Sequence, residues 1–186
     1  MRRRGMGLLA IAALIGSTAI AQDNNGPVVD ATLDSIRGGQ RSLHDERGRR
    51  IVVLFYEDRP HIEDNESTKG TLNQFIANNH LENRVVVLGV ANLGGLGNDA
   101  PRDLVRRMIR PALDRWGVDI LLDWDGVMRR PPFSFSSEAA NVALVDTNGR
   151  IVWHYAGVMG REQSSAMYRV LRGLLRAAPA TAAENH

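Results

Sequence analysis

Residues 51–56 read Ile-Val-Val-Leu-Phe-Tyr, an unbroken run of aliphatic and aromatic side chains. Because apolar and polar residues do not alternate, the run predicts a strand that is buried on both faces of a sheet. A second run of this kind, Val-Val-Val-Leu-Gly-Val, occupies residues 85–90. Between the two runs, residues 66–79 predict a helix with an apolar stripe formed by Leu72, Phe75 and Ile76. Strand, helix and strand together predict a parallel βαβ unit.

The segment before this unit predicts a β-hairpin. Residues 28–33 and 41–43 are short strand candidates, and Gly38-Gly39 between them is a turn signal. The charged stretch from Asp45 to Arg50 then leads into the first buried strand. The hairpin is therefore expected as an N-terminal extension of the sheet.

The segment after the unit predicts a second helix and a further short strand. Asp99 is placed to cap this helix and Pro101 suits its first turn. Apolar residues then recur on one face as far as Trp116, but Pro111 lies within the pattern and is expected to kink or split the helix. Residues 120–122 are a short apolar run that suits a strand.

The C-terminal part is the most regular. Residues 141–145 and 151–155 are strand candidates on either side of Asp146-Thr147-Asn148-Gly149, in which Asn-Gly is a strong hairpin signal. Residues 161–177 predict a final helix, whose inward-facing residues are Met167, Val170, Leu171, Leu174 and Leu175.

These elements predict an α/β fold built on one central mixed sheet. The sheet begins with the parallel βαβ unit, carries the N-terminal β-hairpin as an extension and ends with an antiparallel hairpin and a covering helix. We assign residues 22–178 to this domain and residues 179–186 to a disordered tail. No internal repeat is present.

Residues 1–21 have the pattern of a secretory signal peptide. Arginines occupy positions 2–4, a short apolar run spans Leu8 to Ile15, and Ala19-Ile20-Ala21 suits a cleavage site. The apolar run is shorter than the roughly 20 residues that cross a membrane. We therefore expect a periplasmic or secreted protein with no stable membrane anchor after cleavage.

Charge and cysteine content exclude two classes of function. Export would remove three arginines and no acidic residue, so the balance of 23 basic and 21 acidic residues becomes nearly even. Such a balance predicts no nucleic-acid binding. The chain contains no cysteine, so it has no thiol nucleophile, although disulfides persist where exported proteins reside. The composition indicates no cofactor, and it leaves the oligomeric state open.

Two stretches match a known pattern. Leu43–Tyr56, which reads LHDERGRRIVVLFY, resembles the N-terminal hairpin and first core strand of the redoxin branch of thioredoxin-like proteins. Asn141–Val152, which reads NVALVDTNGRIV, is similar to their later strand, D-x-x-G turn and strand. From Ser136 to Gly157 the chain looks most like the YtfJ-like periplasmic proteins of unknown function, which also have a signal peptide and lack the redox cysteines. The resemblance implies a thioredoxin-like fold and an exported location.

The departures from that family concern its redox site. Thioredoxin-type enzymes have Cys-x-x-Cys just after the first core strand, where the helix N-terminus stabilises a thiolate. Here the corresponding stretch, Glu57–Asp64, contains no sulfur. The family's cis-proline would align near Ala140 or Asn141, and neither is proline. The resemblance therefore transfers a fold and no catalytic residue, and thiol–disulfide and peroxidase activities are excluded.

Two other chemistries remain as alternatives. Acidic residues and His61 crowd residues 57–66, and oxygen and imidazole groups can bind a divalent cation. Asp123 and Asp125 lie in Ile-Leu-Leu-Asp-Trp-Asp-Gly-Val, which resembles the first motif of haloacid-dehalogenase-type, magnesium-dependent phosphatases. That motif should open its domain, whereas about 60 residues follow it here, so a turn in which both aspartates bond nearby backbone is favoured.

The leading hypothesis is a non-enzymatic module that binds a protein partner or a ligand. Its contact face would be the former redox face, and the partner would be a periplasmic protein. Phe133 and Phe135 either form an exposed apolar patch on this face or pack into the core. The candidate binding residues are Asp58, His61, Glu63, Ala140, Asn141 and Phe133.

Overall fold

The computed structural model describes residues 26–96 and 101–177, which form one seven-stranded mixed sheet with three α-helices. The strands are β1 (Thr32–Ser35), β2 (Gln40–Ser42), β3 (Ile51–Glu57), β4 (Val85–Asn92), β5 (Asp119–Asp123), β6 (Asn141–Val145) and β7 (Ile151–Ala156). The helices are α1 (Glu66–Asn78), α2 (Arg102–Trp116) and α3 (Arg161–Ala177). The signal-peptide pattern, the cap position Asp99 and the C-terminal tail lie outside the described residues.

The strand order is β2-β1-β5-β4-β3-β6-β7. Strands β3, β4 and β5 are parallel, and every other pairing is antiparallel. The predicted βαβ unit, C-terminal hairpin and N-terminal hairpin are all confirmed, since β3-α1-β4, β6-β7 and β1-β2 are adjacent pairs. The central strands have unbroken apolar runs because both faces of the sheet are covered there.

All three helices pack on the same face of the sheet. Phe55, Gly89 and Ile120 lie side by side across the three parallel strands and point to this face. Phe55 belongs to the core formed with α1 and α3, and Ile120 belongs to the core formed with α2. Two successive right-handed crossovers in the same direction along a sheet place their helices on one side, which accounts for this arrangement.

No α-helix among the described residues covers the opposite face. Its core joins Leu54, Tyr56 and Leu121 of the sheet to Met128, Phe133 and Phe135 of the segment between β5 and β6. Phe133 and Phe135 are buried, with their ring centroids 5.6 Å apart. Of the two alternatives predicted for these phenylalanines, packing into the core is confirmed and an exposed apolar patch is wrong.

Two local expectations also differ from the structure. The first strand begins at Thr32 rather than Val28, because the backbone N–H of Val29 donates to the carbonyl of Gly149 (2.8 Å) and draws residues 28–29 to the C-terminal hairpin. Helix α2 is not split at Pro111, which is exposed, because Leu113 after the proline is buried against the sheet. Gly117, with φ +63°, ends the helix as a left-handed cap.

No helix in residues 26–96 or 101–177 is both long and apolar enough to cross a membrane.

Candidate functional site

The candidate site lies at the carboxyl ends of β3 and β4. Glu57 is the last residue of β3, and its register partner Ala91 is the penultimate residue of β4. The chain then runs through residues 58–65 into α1, the stretch that holds the redox cysteines in thioredoxin-type proteins. Ligands of open α/β sheets bind at this edge of the strands, so the position itself suits a binding site.

A pocket of about 250 Å³ opens at this edge, between the sheet and α2. Its lining is mostly apolar and includes Val105, Ile109, Ala112, Trp116, Ile120 and Leu93. Met108 lines the pocket and is 61% exposed, so it marks the mouth. Gly89 widens the pocket because it has no side chain on the face that Phe55 and Ile120 occupy.

A buried ion pair stands at the wall of this pocket. Lys69 and Glu57 are 1% and 6% exposed, and Lys69 Nζ donates to Glu57 Oε2 at 2.5 Å. The same ammonium group lies 3.8 Å from the ring centroid of Trp116, a pocket residue. Helix α1 places Lys69 one turn before the buried Leu72, so the helical stripe carries the lysine inward.

Burial opposes both charges of this pair. It raises the pKa of Glu57 from 4.5 to about 7, although the charge and hydrogen bond of Lys69 act in the opposite direction. Burial likewise lowers the pKa of Lys69, and Glu57 counteracts this. The charged pair is thus maintained in a dry setting by mutual attraction rather than by solvent.

Asp58, which lines the pocket, forms a separate pair with His61 of the same loop. His61 Nδ1 lies 2.6 Å from Asp58 Oδ1, and both side chains are about three-quarters buried. Glu63 points into solvent, 3.7 Å from Arg115 of α2. Glu66 also lies 4.0 Å from Arg115, and no group of three metal-ligating side chains forms in the described chain. The alternative of a divalent-cation site at residues 57–66 finds no support in this arrangement of side chains.

Ala140 and Asn141 lie at the same end of the sheet as residues 58–63, since Asn141 pairs with Tyr56 of β3. Both are fully buried, and so is Phe133. Asn141 donates to the carbonyls of Ser136 and Ala139 and accepts from the backbone N–H of Ser136. The structure thus brings the predicted segments together, but these three side chains support the face from within and cannot touch a partner.

Asn65, the residue that precedes α1, is also buried. Its side chain donates to the carbonyl of Gly157 and accepts from the backbone N–H of Met159. The loop after β3 is therefore tied to the connection between β7 and α3, which keeps the pocket edge in place.

Asp123 does not have the geometry of a phosphatase nucleophile. It is fully buried, and its two carboxylate oxygens accept the backbone N–H groups of Val127 (2.7 Å) and Met128 (3.0 Å). Asp125 is exposed. The favoured interpretation, a turn in which both aspartates bond nearby backbone, holds for Asp123, whereas the Asp125 side chain forms no hydrogen bond within the described chain. The phosphatase alternative has no free attacking oxygen on Asp123.

Sequence reasoning missed the pocket and the Glu57–Lys69 pair. The signal was present, because Lys69 shares its helical face with Leu72 and Ile76 at spacings of three and seven residues. A lysine on an apolar stripe requires a buried partner, and an acidic residue at the end of a buried strand is the natural candidate.

Comparisons with known proteins address the fold. No protein-family model matches the chain, and no curated protein shows significant sequence similarity to it. Solved structures similar to it include a DsbF homologue from Corynebacterium diphtheriae, with a TM-score of 0.64 and 16% identity over 90% of this chain and 100% of that one. A putative thiol:disulfide interchange protein DsbE from Chlorobium tepidum gives 0.60 and 17% identity over 83% and 99%. The exposed lipoprotein thioredoxin of Streptococcus pneumoniae gives 0.59 and 23% identity over 78% and 100%.

At these identities the similarity concerns the fold alone. It confirms the expected thioredoxin-like architecture, while the chain has no cysteine with which to perform the exchange that the names of those proteins describe. The chain is therefore a thioredoxin-like α/β domain that lacks the thiol chemistry of its structural neighbours.

Proposed function

We propose that this protein is an exported, redox-inactive binding module that holds a small ligand in the pocket between β4 and α2. The observation that carries the proposal is the pocket itself: about 250 Å³, mostly apolar, and located at the carboxyl ends of parallel strands. Apolar pockets with few polar groups at this edge are the usual ligand sites of such sheets.

The surroundings of the pocket support binding rather than thiol chemistry. The loop that follows β3 contains an Asp58–His61 pair in place of sulfur, and a buried ion pair stands behind it. Met108, at the mouth, presents a flexible apolar side chain to an incoming molecule. A periplasmic protein that delivers or receives the ligand would contact this same mouth.

An apolar fluorescent probe tests the pocket. Purified protein is titrated with N-phenyl-1-naphthylamine, whose emission rises in apolar surroundings, and we expect saturable binding. Ala112→Leu adds a branched side chain inside the pocket and should weaken binding by about tenfold, because roughly three buried carbons take the ligand's space. Ala77→Leu on the exposed face of α1 is the matched control and should leave the affinity unchanged. Equal affinities in the two variants would place the probe elsewhere and refute the pocket.

Export is the second part of the proposal. The signal-peptide pattern at residues 1–21 supports it, as does the resemblance to YtfJ-like periplasmic proteins. A lipoprotein described as exposed is among the similar structures. The protein produced with its own leader in a Gram-negative host should appear in the periplasmic or medium fraction with Gln22 as its first residue. Recovery in the cytosol with Met1 intact would contradict export.

A further inference from the structure

Most polar groups of the pocket lining already have a partner within the protein. Glu57 accepts from the buried Lys69, and Asp58 Oδ1 lies 2.6 Å from Nδ1 of His61. The side-chain oxygen of Asn92 accepts from the backbone N–H two residues further on, at 3.3 Å. A ligand in the pocket would therefore compete with an existing contact at each of these groups.

Two atoms of lining residues have no partner among the described residues, Glu57 Oε1 and Trp116 Nε1. Both are buried, so neither is open to a ligand unless the wall rearranges. The polar end of a ligand must therefore find its partner at an accessible group of the lining.

Arg59 is the charged lining residue that meets this condition. It is exposed, and its side chain forms no ion pair or hydrogen bond in the part of the chain that the structure describes. A guanidinium group only donates hydrogen bonds, and its planar fork matches the two oxygens of a carboxylate. Arg59 therefore favours a ligand with an acid group.

The exposed lining residues mark the mouth of the pocket. They are Arg59, Leu96 (50% exposed) and Met108 (61% exposed). Other lining residues, such as Val90 and Ile120, are apolar and buried. A charge at the mouth and an apolar interior fit a molecule that enters with its apolar end first. Its acid group then stays in contact with water, so the cost of burying a charge is avoided.

On the basis of the proposed binding function, we infer that the ligand is a small amphipathic acid whose apolar part fills the pocket and whose carboxylate pairs with Arg59 at the mouth. Short fatty acids and aromatic carboxylic acids belong to this class. Apolar contact supplies most of the affinity. Arg59 supplies a preference for the acid, whereas an amine would have to compete with His61 for Asp58.

Three ligands that share one chain test this inference. Octanoate, octan-1-ol and octylammonium each displace N-phenyl-1-naphthylamine at low ionic strength and about pH 7, where carboxylic acids and amines are both charged. Arg59→Gln should weaken octanoate binding by about fivefold, the upper end for an ion pair that water screens. It should leave octan-1-ol binding unchanged. The variant should fold normally because Arg59 is exposed and unpartnered among the described residues.

Two further variants sharpen the result. Arg107→Gln is the matched control, since it removes the same charge from an exposed position of α2 outside the pocket lining. It should leave the octanoate affinity nearly unchanged, because solvent and salt screen a charge that does not contact the ligand. Arg59→Glu should reverse the order, so that octylammonium displaces the probe more effectively than octanoate.

The possible outcomes separate the inference from the proposed function. An unchanged octanoate affinity in Arg59→Gln would overturn the inference, and so would an equal loss for octanoate and octan-1-ol or an equal loss in Arg107→Gln. Octylammonium binding that is the tightest of the three and is lost in Asp58→Asn would assign the polar end to Asp58 instead. These results leave the pocket standing. Failure of N-phenyl-1-naphthylamine to bind would overturn the proposed function, and the inference with it.

Discussion

Lys69→Met is expected to lower the free energy of unfolding by about 3–5 kcal/mol at about pH 8, the usual cost of breaking a buried ion pair on one side. The substitution leaves the Glu57 carboxylate in a dry site with both oxygens unpartnered, because Lys69 is its only hydrogen-bond donor among the described residues. It also removes the ammonium group from the ring of Trp116, 3.8 Å away. Urea unfolding followed by circular dichroism measures the loss.

The loss in Lys69→Met should shrink as the pH falls. Burial already raises the pKa of Glu57 from 4.5 to about 7, and removal of the lysine takes away the interaction that opposes this rise. A group with a raised pKa in the folded state binds a proton there more readily than in the unfolded chain. Its destabilising effect is therefore complete above the folded pKa and absent below about 4.5. At about pH 5 the variant should be closer to the unmodified protein than at about pH 8.

The double variant Lys69→Met with Glu57→Leu is the control for this prediction. Removing both charges should recover most of the lost stability, and similar replacements elsewhere have been neutral or stabilising by about 1–4 kcal/mol. A double variant as unstable as the single one would show that Lys69 acts through packing. An equal loss at both pH values would show that Glu57 does not carry a charge in the folded protein.

The central fold could be predicted because its strands are buried on both faces. Residues 51–56 and 85–90 have no alternation, which only a covered sheet explains, and the Asn-Gly turn identifies the C-terminal hairpin. The N-terminal strand was displaced by several residues because its boundary depends on a backbone contact of Val29 with Gly149, over 100 residues away. Local patterns do not contain that information.

The candidate site was harder to predict because it depends on tertiary contacts. The composition of Asp58, His61 and Glu63 suggested a metal site, but Asp58 and His61 pair with each other and Glu63 faces Arg115. Phe133 lies in a segment without helical or strand periodicity, so its burial could not be derived from spacing. The pocket lies where β4 and α2 meet, and its lining there includes the small residues Gly89 and Ala112.

Substitution of Asn141 is expected to cause the second large loss in the free energy of unfolding. The aligned cis-proline of thioredoxin-type proteins suggested a contact role at this position, whereas the side chain is 1% exposed and hydrogen-bonded on both ends. Its amide group donates to two carbonyls, and its Oδ1 accepts from the N–H of Ser136 at 2.9 Å and lies 3.1 Å from Nε2 of His154. Because Oδ1 can only accept, Nε2 of His154 carries the proton, and burial lowers the pKa of this histidine.

Asn141→Ala should therefore lower the free energy of unfolding by about 3 kcal/mol, since it removes several hydrogen bonds at once and leaves their partly buried partners unsatisfied. Asn73→Ala is the matched control: among the described residues its side chain makes one hydrogen bond, to the carbonyl of Trp116, and its loss should be about 1 kcal/mol. Chemical denaturation of both variants measures the difference. If Asn141→Ala lost no more than Asn73→Ala, water would be replacing its contacts, and the segment between β5 and β6 would not depend on this residue for its position at the pocket end of the sheet.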